Sequence, residues 1–423
     1  MQITRKSFES TDEKYTRVVF DNGFTCYIIP KDVNSPYAAI GVDFGASDTL
    51  CKETGEEFPV GTAHFLEHKM FQTKNGDAFA LFADRGAASN AYTASDKTVY
   101  NFSCTDNLYE NLDILLDMVF NAHFTKKSVE KEKGIIAQEI KMYADNPRWR
   151  CYRSLLELMY GKSPVSSDPC GTVDYIYSVT PELLNRCRKA AYSPDKMVLC
   201  VCGNVDEQKI IELTQKAISG VRSGKGGTFY PPNISRKPAG SRNAVYGDVS
   251  SPVFNMGIRL DTPGHIVSAY EFAAVEIIMN LLFGKSSDLY SELYVKGLFE
   301  TIGDDCQTSR NTFFATVSGV SAYPDAFRAS ACEKILEYAE KGFSQEDFDR
   351  TKKAIYGDLV FSCESPESVC DSVISFHMEG DDFFEYPATV ASVKKEDAEK
   401  LLKDRFLPEN ICISIIFPKE EEK

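Results

Sequence analysis

The stretch Tyr192-Ser-Pro-Asp-Lys-Met197 precedes an apolar run, and it is echoed by Phe406-Leu-Pro-Glu-Asn-Ile411 before a second apolar run. A second pair of similar stretches, Phe124-Thr-Lys-Lys-Ser128 and Phe343-Ser-Gln-Glu-Asp347, opens two helical patterns. The members of these pairs are offset by 214 and 219 residues, respectively. Two similar offsets near half the chain length predict an internal duplication.

Strand and helix signals alternate between these echoes. Residues 17–30 are typical of a hairpin around the turn Asp21-Asn22-Gly23, and residues 89–104 alternate like a strand pair. Residues 108–120 and 128–143 have the periodicity of amphipathic helices. We therefore predict an α+β fold of two homologous domains, each a mainly antiparallel sheet packed by helices.

The division into domains follows from length and from one linker signal. A chain of 423 residues is too long for one ordinary core. Glycine and proline cluster between residues 220 and 242. The sequence thus predicts an N-terminal domain over residues 1–225, a linker over 226–242 and a homologous C-terminal domain over 243–423.

Composition excludes several classes of protein. The net charge of −15 argues against a nucleic-acid partner, which would require a basic face. No stretch approaches the ~20 apolar residues of a membrane span, and the charged N-terminus lacks a secretory signal, so we expect a cytoplasmic protein without membrane partners. The thirteen cysteines are scattered and include no Cys-x-x-Cys pair, which is typical of structural cysteines in a reducing compartment.

The stretch His64-Phe65-Leu66-Glu67-His68 carries the chemistry. His64 and His68 are four residues apart, so both imidazoles project from one helical face and can reach a single Zn²⁺ at ~2.0–2.1 Å. Zinc lowers the pKa of a bound water toward ~7, and Glu67 is placed to take its proton as a general base. The pattern predicts a zinc peptidase that binds one Zn²⁺ per chain in the N-terminal domain.

A catalytic zinc site needs a third protein ligand. The helix predicted at 128–143 offers Glu132 and Glu139, which are seven residues apart and lie on one face. Spacing alone does not say which of them binds the metal and which supports a ligand.

The motif and Glu139, 71 residues after His68, resemble the insulinase/pitrilysin family of inverted zincins. By its length, the chain is similar to the processing-peptidase-like, single-unit members. The resemblance implies that His64, His68 and Glu139 are the ligands, Glu67 the base and Glu132 a carboxylate supporting a ligand. It also implies that Asn90 and Ala91 lie on a strand edge that pairs with the backbone of a peptide substrate.

One segment departs from the family pattern. The family usually completes its site with an Arg and a Tyr from a second homologous half, but here Tyr294 stands in place of the Arg and the later Tyr is not evident, although Phe299 is nearby. Such a donor is typically worth ~3–4 kcal/mol of transition-state stabilisation. The hypothesis is that a homologous subunit, in a homodimer or heterodimer, supplies the missing contacts, while Tyr294 remains a candidate substrate-binding residue.

Two other functions compete with an endopeptidase of peptides or unfolded segments. A non-catalytic assembly or scaffold member of the same family would have no need of Glu67. A thiol-dependent enzyme has thirteen candidate cysteines, but none stands in an obvious His/Asp setting.

Overall fold

A computed structural model describes residues 1–8, 13–221, 224–261 and 266–419. The strands, in chain order, are β1 (Gln2–Phe8), β2 (Glu13–Val19), β3 (Thr25–Pro30), β4 (Tyr37–Val42), β5 (Leu50–Cys51), β6 (Gln72–Thr73), β7 (Gly76–Asp77), β8 (Ala87–Thr93), β9 (Thr98–Cys104), β10 (Met197–Gly203), β11 (Phe229–Tyr230), β12 (Arg242–Gly247), β13 (Val253–Arg259), β14 (Thr301–Ser309), β15 (Thr312–Val320) and β16 (Ile411–Pro418). The helices are α1 (Thr62–Met70), α2 (Ala78–Ala83), α3 (Leu108–Phe120), α4 (Lys126–Asp145), α5 (Pro147–Tyr160), α6 (Val173–Ser178), α7 (Pro181–Ala191), α8 (Glu207–Ile218), α9 (Ala269–Phe283), α10 (Asp288–Val295), α11 (Pro324–Lys341), α12 (Gln345–Ser362), α13 (Pro366–Glu379), α14 (Tyr386–Ser392) and α15 (Lys395–Arg405).

The chain forms two compact units that are not continuous in sequence. The first consists of residues 1–140, 168–230 and 359–385, and the second of residues 141–167, 231–358 and 386–423. The predicted boundaries at 1–225, 226–242 and 243–423 divide the chain linearly, whereas segments 141–167 and 359–385 cross that division. The predicted linker also contains β11, which pairs with β5 of the first unit.

The first unit is built on a sheet with the strand order β1-β2-β3-β10-β4-β9-β8. β3 and β10 are parallel, and the other neighbours are antiparallel. Alternate residues of β10 face opposite cores: Leu199 packs with α1 and α3, and Cys200 packs with α13. Both faces of the sheet are therefore covered, and the cysteines of β10 are structural, as predicted.

The sheet of the second unit repeats this arrangement. Its strand order is β12-β16-β13-β15-β14, with one parallel pair (β12 and β16) followed by antiparallel pairs. Short 3-10 turns at Pro194–Lys196 and Pro408–Asn410 precede the equivalent strands β10 and β16. The stretches that predicted a duplication thus occupy equivalent places in two similar α+β units.

Each sheet is covered on one face by a helix from the other half of the sequence. α13 packs on β4 and β10 in the first unit, and α5 packs on β13 and β16 in the second. A Cβ on Gly41 of β4 would lie 2.4 Å from Ile374, and one on Gly257 of β13 would lie 3.0 Å from Leu155. Glycine in the equivalent strand of each sheet therefore lets the covering helix approach closely.

Two further observations concern the chain as a whole. β1 was not predicted, because its residues are mostly exposed and lack an apolar alternation; backbone pairing with β2 holds it in the sheet. Among the described residues, no helix combines the length and the apolar character that a membrane crossing requires.

Candidate metal centre

The predicted motif lies on α1, a helix buried along most of its length. Phe65 and Leu66 are fully buried in the core beneath the sheet. Gly61, just before the helix, has a φ of 99°, and a Cβ there would lie 2.9 Å from the carbonyl oxygen of Cys170. Glycine thus allows the segment at Cys170 to pack against the start of α1, and the motif is fixed from several sides.

His64, His68 and Glu139 form a compact group whose ligand atoms all lie within 4.8 Å of one another. Nε2 of His64 is 3.6 Å from Oε1 of Glu139, and Nε2 of His68 is 3.4 Å from Oε2. Ligands bound at ~2.0–2.1 Å to a tetrahedral zinc are about 3.3 Å apart. Both the spacing and the donor set, two imidazoles and a carboxylate, fit Zn²⁺.

The two carboxylates of α4 have different contacts. Oε1 of Glu132 lies 3.1 Å from Nδ1 of His68, whereas Glu139 lies beside the Nε2 atoms of both histidines. A carboxylate on the second ring nitrogen fixes the tautomer and orientation of a metal-binding histidine. The geometry therefore separates two glutamates that sequence spacing alone left equivalent.

The carboxylates around His68 favour a positive charge at this position. Burial alone would lower the pKa of His68, but hydrogen bonds to Glu132 and Glu139 outweigh it and raise that pKa to about 9. Contacts with His64 and His68 hold the pKa of Glu139 well below its ordinary value. The position between the carboxylates thus stabilises a positive charge, which either a proton or a metal ion can supply.

Glu67 lies on the same helix and is 8% exposed. Its Oε2 accepts a hydrogen bond from the hydroxyl of Thr93, the last residue of β8. This bond orients the carboxylate and ties α1 to the end of β8. No motif or spacing in the sequence indicates that Thr93 contacts Glu67.

Asn90 and Ala91 lie in β8, an outer strand of its sheet that pairs with β9. The side-chain oxygen of Asn90 accepts a hydrogen bond from the N–H of Ala91 at 2.9 Å. Because Thr93 ends the same strand and contacts Glu67, this edge runs toward α1, the helix that carries the histidines.

Tyr294 belongs to the second unit, on α10, and is 61% exposed. Its ring packs on that of Phe299, with the centroids 5.8 Å apart. The structure thus groups His64, Glu67, His68, Glu132 and Glu139 in the first unit, and Tyr294 is not part of that group.

Two other residues contact the group without having been predicted. Sγ of Cys170 lies 3.8 Å from Nε2 of His64. Nζ of Lys69 donates a hydrogen bond to Oε2 of Glu132 at 3.2 Å. A charged residue directly between the predicted ligand His68 and the apolar pair Met70-Phe71 is the signal that could have drawn attention to Lys69.

Comparison with known proteins agrees with this geometry. The sequence model described as "Insulinase (Peptidase family M16)" matches residues 54–172, and "Peptidase M16 inactive domain" matches residues 178–355. The chain is 32% identical over 431 residues to the "Uncharacterized zinc protease YmfH" of Bacillus subtilis (strain 168), covering 97% of this chain and 98% of the relative. The chain belongs to the insulinase family of peptidases.

Other insulinase-family proteins resemble it along most of their length. A crystal structure of an "M16-like peptidase" from Alicyclobacillus acidocaldarius matches with a TM-score of 0.91 and 30% identity, over 96% of this chain and 99% of that one. The "Mitochondrial-processing peptidase subunit beta" of Caenorhabditis elegans is 28% identical over 370 residues, 83% of this chain and 78% of the relative. The predicted family and the predicted α+β fold of two homologous domains are confirmed.

Proposed function

We propose that the protein is a zinc metalloendopeptidase that hydrolyses peptides or unfolded segments, with Glu67 as general base. The observation that carries this proposal is the convergence of His64, His68 and Glu139 at spacings that fit one Zn²⁺. Membership of a peptidase family and relatives named as zinc proteases support it.

The residues of this group suit peptide-bond hydrolysis. When bound by His64, His68 and Glu139, zinc supplies a Lewis acid that acidifies water and polarises a carbonyl. Glu67 takes a proton from the water as its oxygen bonds to the carbonyl carbon, and returns it to the amide nitrogen as the C–N bond breaks. Thr93 holds Oε2 of Glu67, which leaves Oε1 for the proton.

The substrate of this reaction would be an extended peptide. The outer position of β8 supports binding by strand addition, with Asn90 and Ala91 hydrogen-bonding to the peptide backbone. An incoming strand would replace the contact between Asn90 and the N–H of Ala91. Selection would then depend on an extended conformation more than on one side chain.

We further propose that the chain is cytoplasmic and works with a homologous subunit, as a homodimer or heterodimer. Tyr294 lacks the positive charge of the Arg that the family places there. Purified chain should therefore hydrolyse peptides slowly alone and faster when a homologue carrying the Arg and Tyr is co-expressed. Full activity of the chain alone would contradict this.

The test of the peptidase proposal is Glu67→Gln, assayed by metal analysis and by hydrolysis of an unfolded polypeptide. We expect about one zinc per chain in both proteins, and hydrolysis lowered ~10²–10⁴-fold in the variant. Glu130→Gln, an exposed acid on α4, is the matched control and should keep full activity. A zinc-free, inert wild type would favour a scaffold role, and activity that resists a chelator but not thiol alkylation would favour a thiol enzyme.

A further inference from the structure

Lys69 follows His68 on α1, and its side chain is fully buried. Its Nζ donates to Oε2 of Glu132 and to the carbonyl oxygen of Ser128, both at 3.2 Å. The other oxygen of Glu132 lies 3.1 Å from Nδ1 of His68. Ammonium, carboxylate and imidazole therefore form one chain of contacts that leaves α1, passes through α4 and returns to a metal-binding residue.

Burying this ion pair costs free energy, so good packing alone does not explain why charged residues occupy the position. An ammonium and a carboxylate removed from water destabilise the fold unless they are paired, and an apolar pair often fills such a space at least as well. Here the pair fixes the carboxylate at the rear nitrogen of His68. An isolated Glu132 could rotate away, and this rotation would release His68.

We propose that Lys69 is a positioning residue for the metal: it holds Glu132 as the acceptor for His68 Nδ1 and so presents Nε2 to zinc. This inference rests on the proposed zinc site. Lys69 would then do more than join α1 to α4, and the two roles predict different effects of replacing it. A purely structural tie would affect only folding stability, whereas a positioning residue also affects zinc affinity.

The chain offers a matched control in Lys133. This second lysine is 6% exposed, lies on α4 and pairs with Glu130, its Nζ 2.7 Å from Oε1. The Glu130 side chain is 56% exposed. Replacing Lys133 by Met therefore removes a buried ammonium and an ion pair of the same helix without touching Glu132.

The experiment measures zinc affinity of the metal-free proteins by competition with a chromophoric chelator, and the visible spectrum of the Co²⁺-loaded forms. Lys69→Met should raise the zinc Kd ~10–100-fold, as loss of support for a ligand does, and should shift the Co²⁺ bands. Lys133→Met should leave both unchanged. In a Glu132→Gln background, Lys69→Met should add no further loss, because Lys69 acts through Glu132.

An unchanged zinc Kd in folded Lys69→Met, or an equal rise on both backgrounds, would overturn the inference. If Lys69→Met does not fold, Lys69→Gln keeps a polar group there but replaces the charge-assisted bond to Glu132 by at most a weaker, neutral one from a shorter side chain, so it should still raise the Kd. Wild-type affinity in that variant would overturn the inference equally. Failure of the wild-type chain to bind zinc would instead overturn the proposed function, so the two failures are distinguishable.

Discussion

The two units have equivalent sheets, but the first helix after the equivalent strand differs between them in its buried residues, which are partly polar in one unit and all apolar in the other. In the first unit, α1 is the first helix after β4 and buries His64, Glu67 and Lys69 among apolar residues. In the second, α9 follows β13, and its buried residues are all apolar. The fold therefore does not need the polar group, which one copy carries in addition to a complete core.

The same contrast holds for the second helix of the site. At the offset of 219 residues, Glu132 corresponds to Thr351 and Glu139 to Asp358, both on α12. The helix is kept, but α9, the counterpart of α1, carries no histidine. A group that could hold a metal needs matching side chains on two helices, and within the described residues such a group is found in the first unit.

The largest expected effect is the loss of zinc when a ligand on α1 is removed, which a change on α9 should not cause. We expect His68→Ala to lower bound zinc from about one to below about 0.1 per chain and to abolish hydrolysis, because two remaining donors do not hold the ion. Glu276→Gln on α9 is the counterpart change; its carboxylate accepts a hydrogen bond from Tyr386, which an amide can also accept. Metal analysis after gel filtration checks both, and stoichiometric zinc in His68→Ala would contradict the ligand assignment.

A smaller loss is expected when Glu67 is released from β8. Thr93→Val removes the hydrogen bond to the carboxylate, and a bond to a charged group is worth ~1.5–3 kcal/mol, so hydrolysis should fall roughly 10–100-fold with zinc content unchanged. Thr98→Val on β9 is the matched control, since its hydroxyl bonds to the carbonyl oxygen of Phe44 at 2.9 Å. Equal losses of kcat/KM in the two variants would show that Thr93 has no special role.

The features that could be predicted from the sequence are those with a strong local pattern: a helix, a turn and the histidine motif. The periodic segment 108–120 was predicted as a helix and is α3, Leu108–Phe120, and the turn at Asp21-Asn22-Gly23 joins β2 to β3 as expected. The motif at His64–His68 needed no tertiary information, because residues four apart on a helix share a face. These features are local.

The features that escaped prediction depend on which surfaces meet. Both α5 and α13 bury an apolar stripe, but no property of a stripe says which sheet it covers, so the crossing of segments 141–167 and 359–385 was not foreseen. Thr93 and Lys69 contact residues that are distant in sequence or on another helix. A single polar residue in a strand or a helix does not reveal such a partner.

The helix exchange can itself be tested at the two strand glycines. Gly41→Ala and Gly257→Ala place a methyl group against α13 and α5, at 2.4 Å from Ile374 and 2.7 Å from Met159, so each should lower the free energy of unfolding by ~1–3 kcal/mol. Gly357→Ala, on α12, adds a Cβ that no described atom beyond the neighbouring backbone of its own helix approaches within 4 Å, so it should be neutral or slightly stabilising. Denaturant unfolding checks all three, and similar results for all three would mean that the covering helices do not pack as described.

The smallest expected effect is a difference between the covering helices α13 and α5 in how changes on them alter the free energy of unfolding at different pH values. Asp371 on α13 corresponds to Tyr152 on α5 at the 219-residue offset. Tyr152 donates a hydrogen bond to Gln307 at 2.8 Å, whereas the buried Oδ1 of Asp371 has no hydrogen-bond partner in the described part of the chain. Burial, with the nearby charge of Glu367, raises the pKa of Asp371 to about 6.

Because the folded pKa of Asp371 lies above the unfolded value of ~3.9, the native state binds the proton more tightly and loses stability as the pH rises from ~4 to 6. Asp371→Asn removes the ionisation, so it should stabilise the protein by about 1 kcal/mol at pH 8, a value reduced for partial exposure, and by nothing at pH 4. Tyr152→Phe should instead cost about 1 kcal/mol at both pH values, since it deletes a neutral hydrogen bond. Unfolding of the three proteins at the two pH values checks this, and a gain for Asp371→Asn that is equal at both would locate its cause in packing and not in charge.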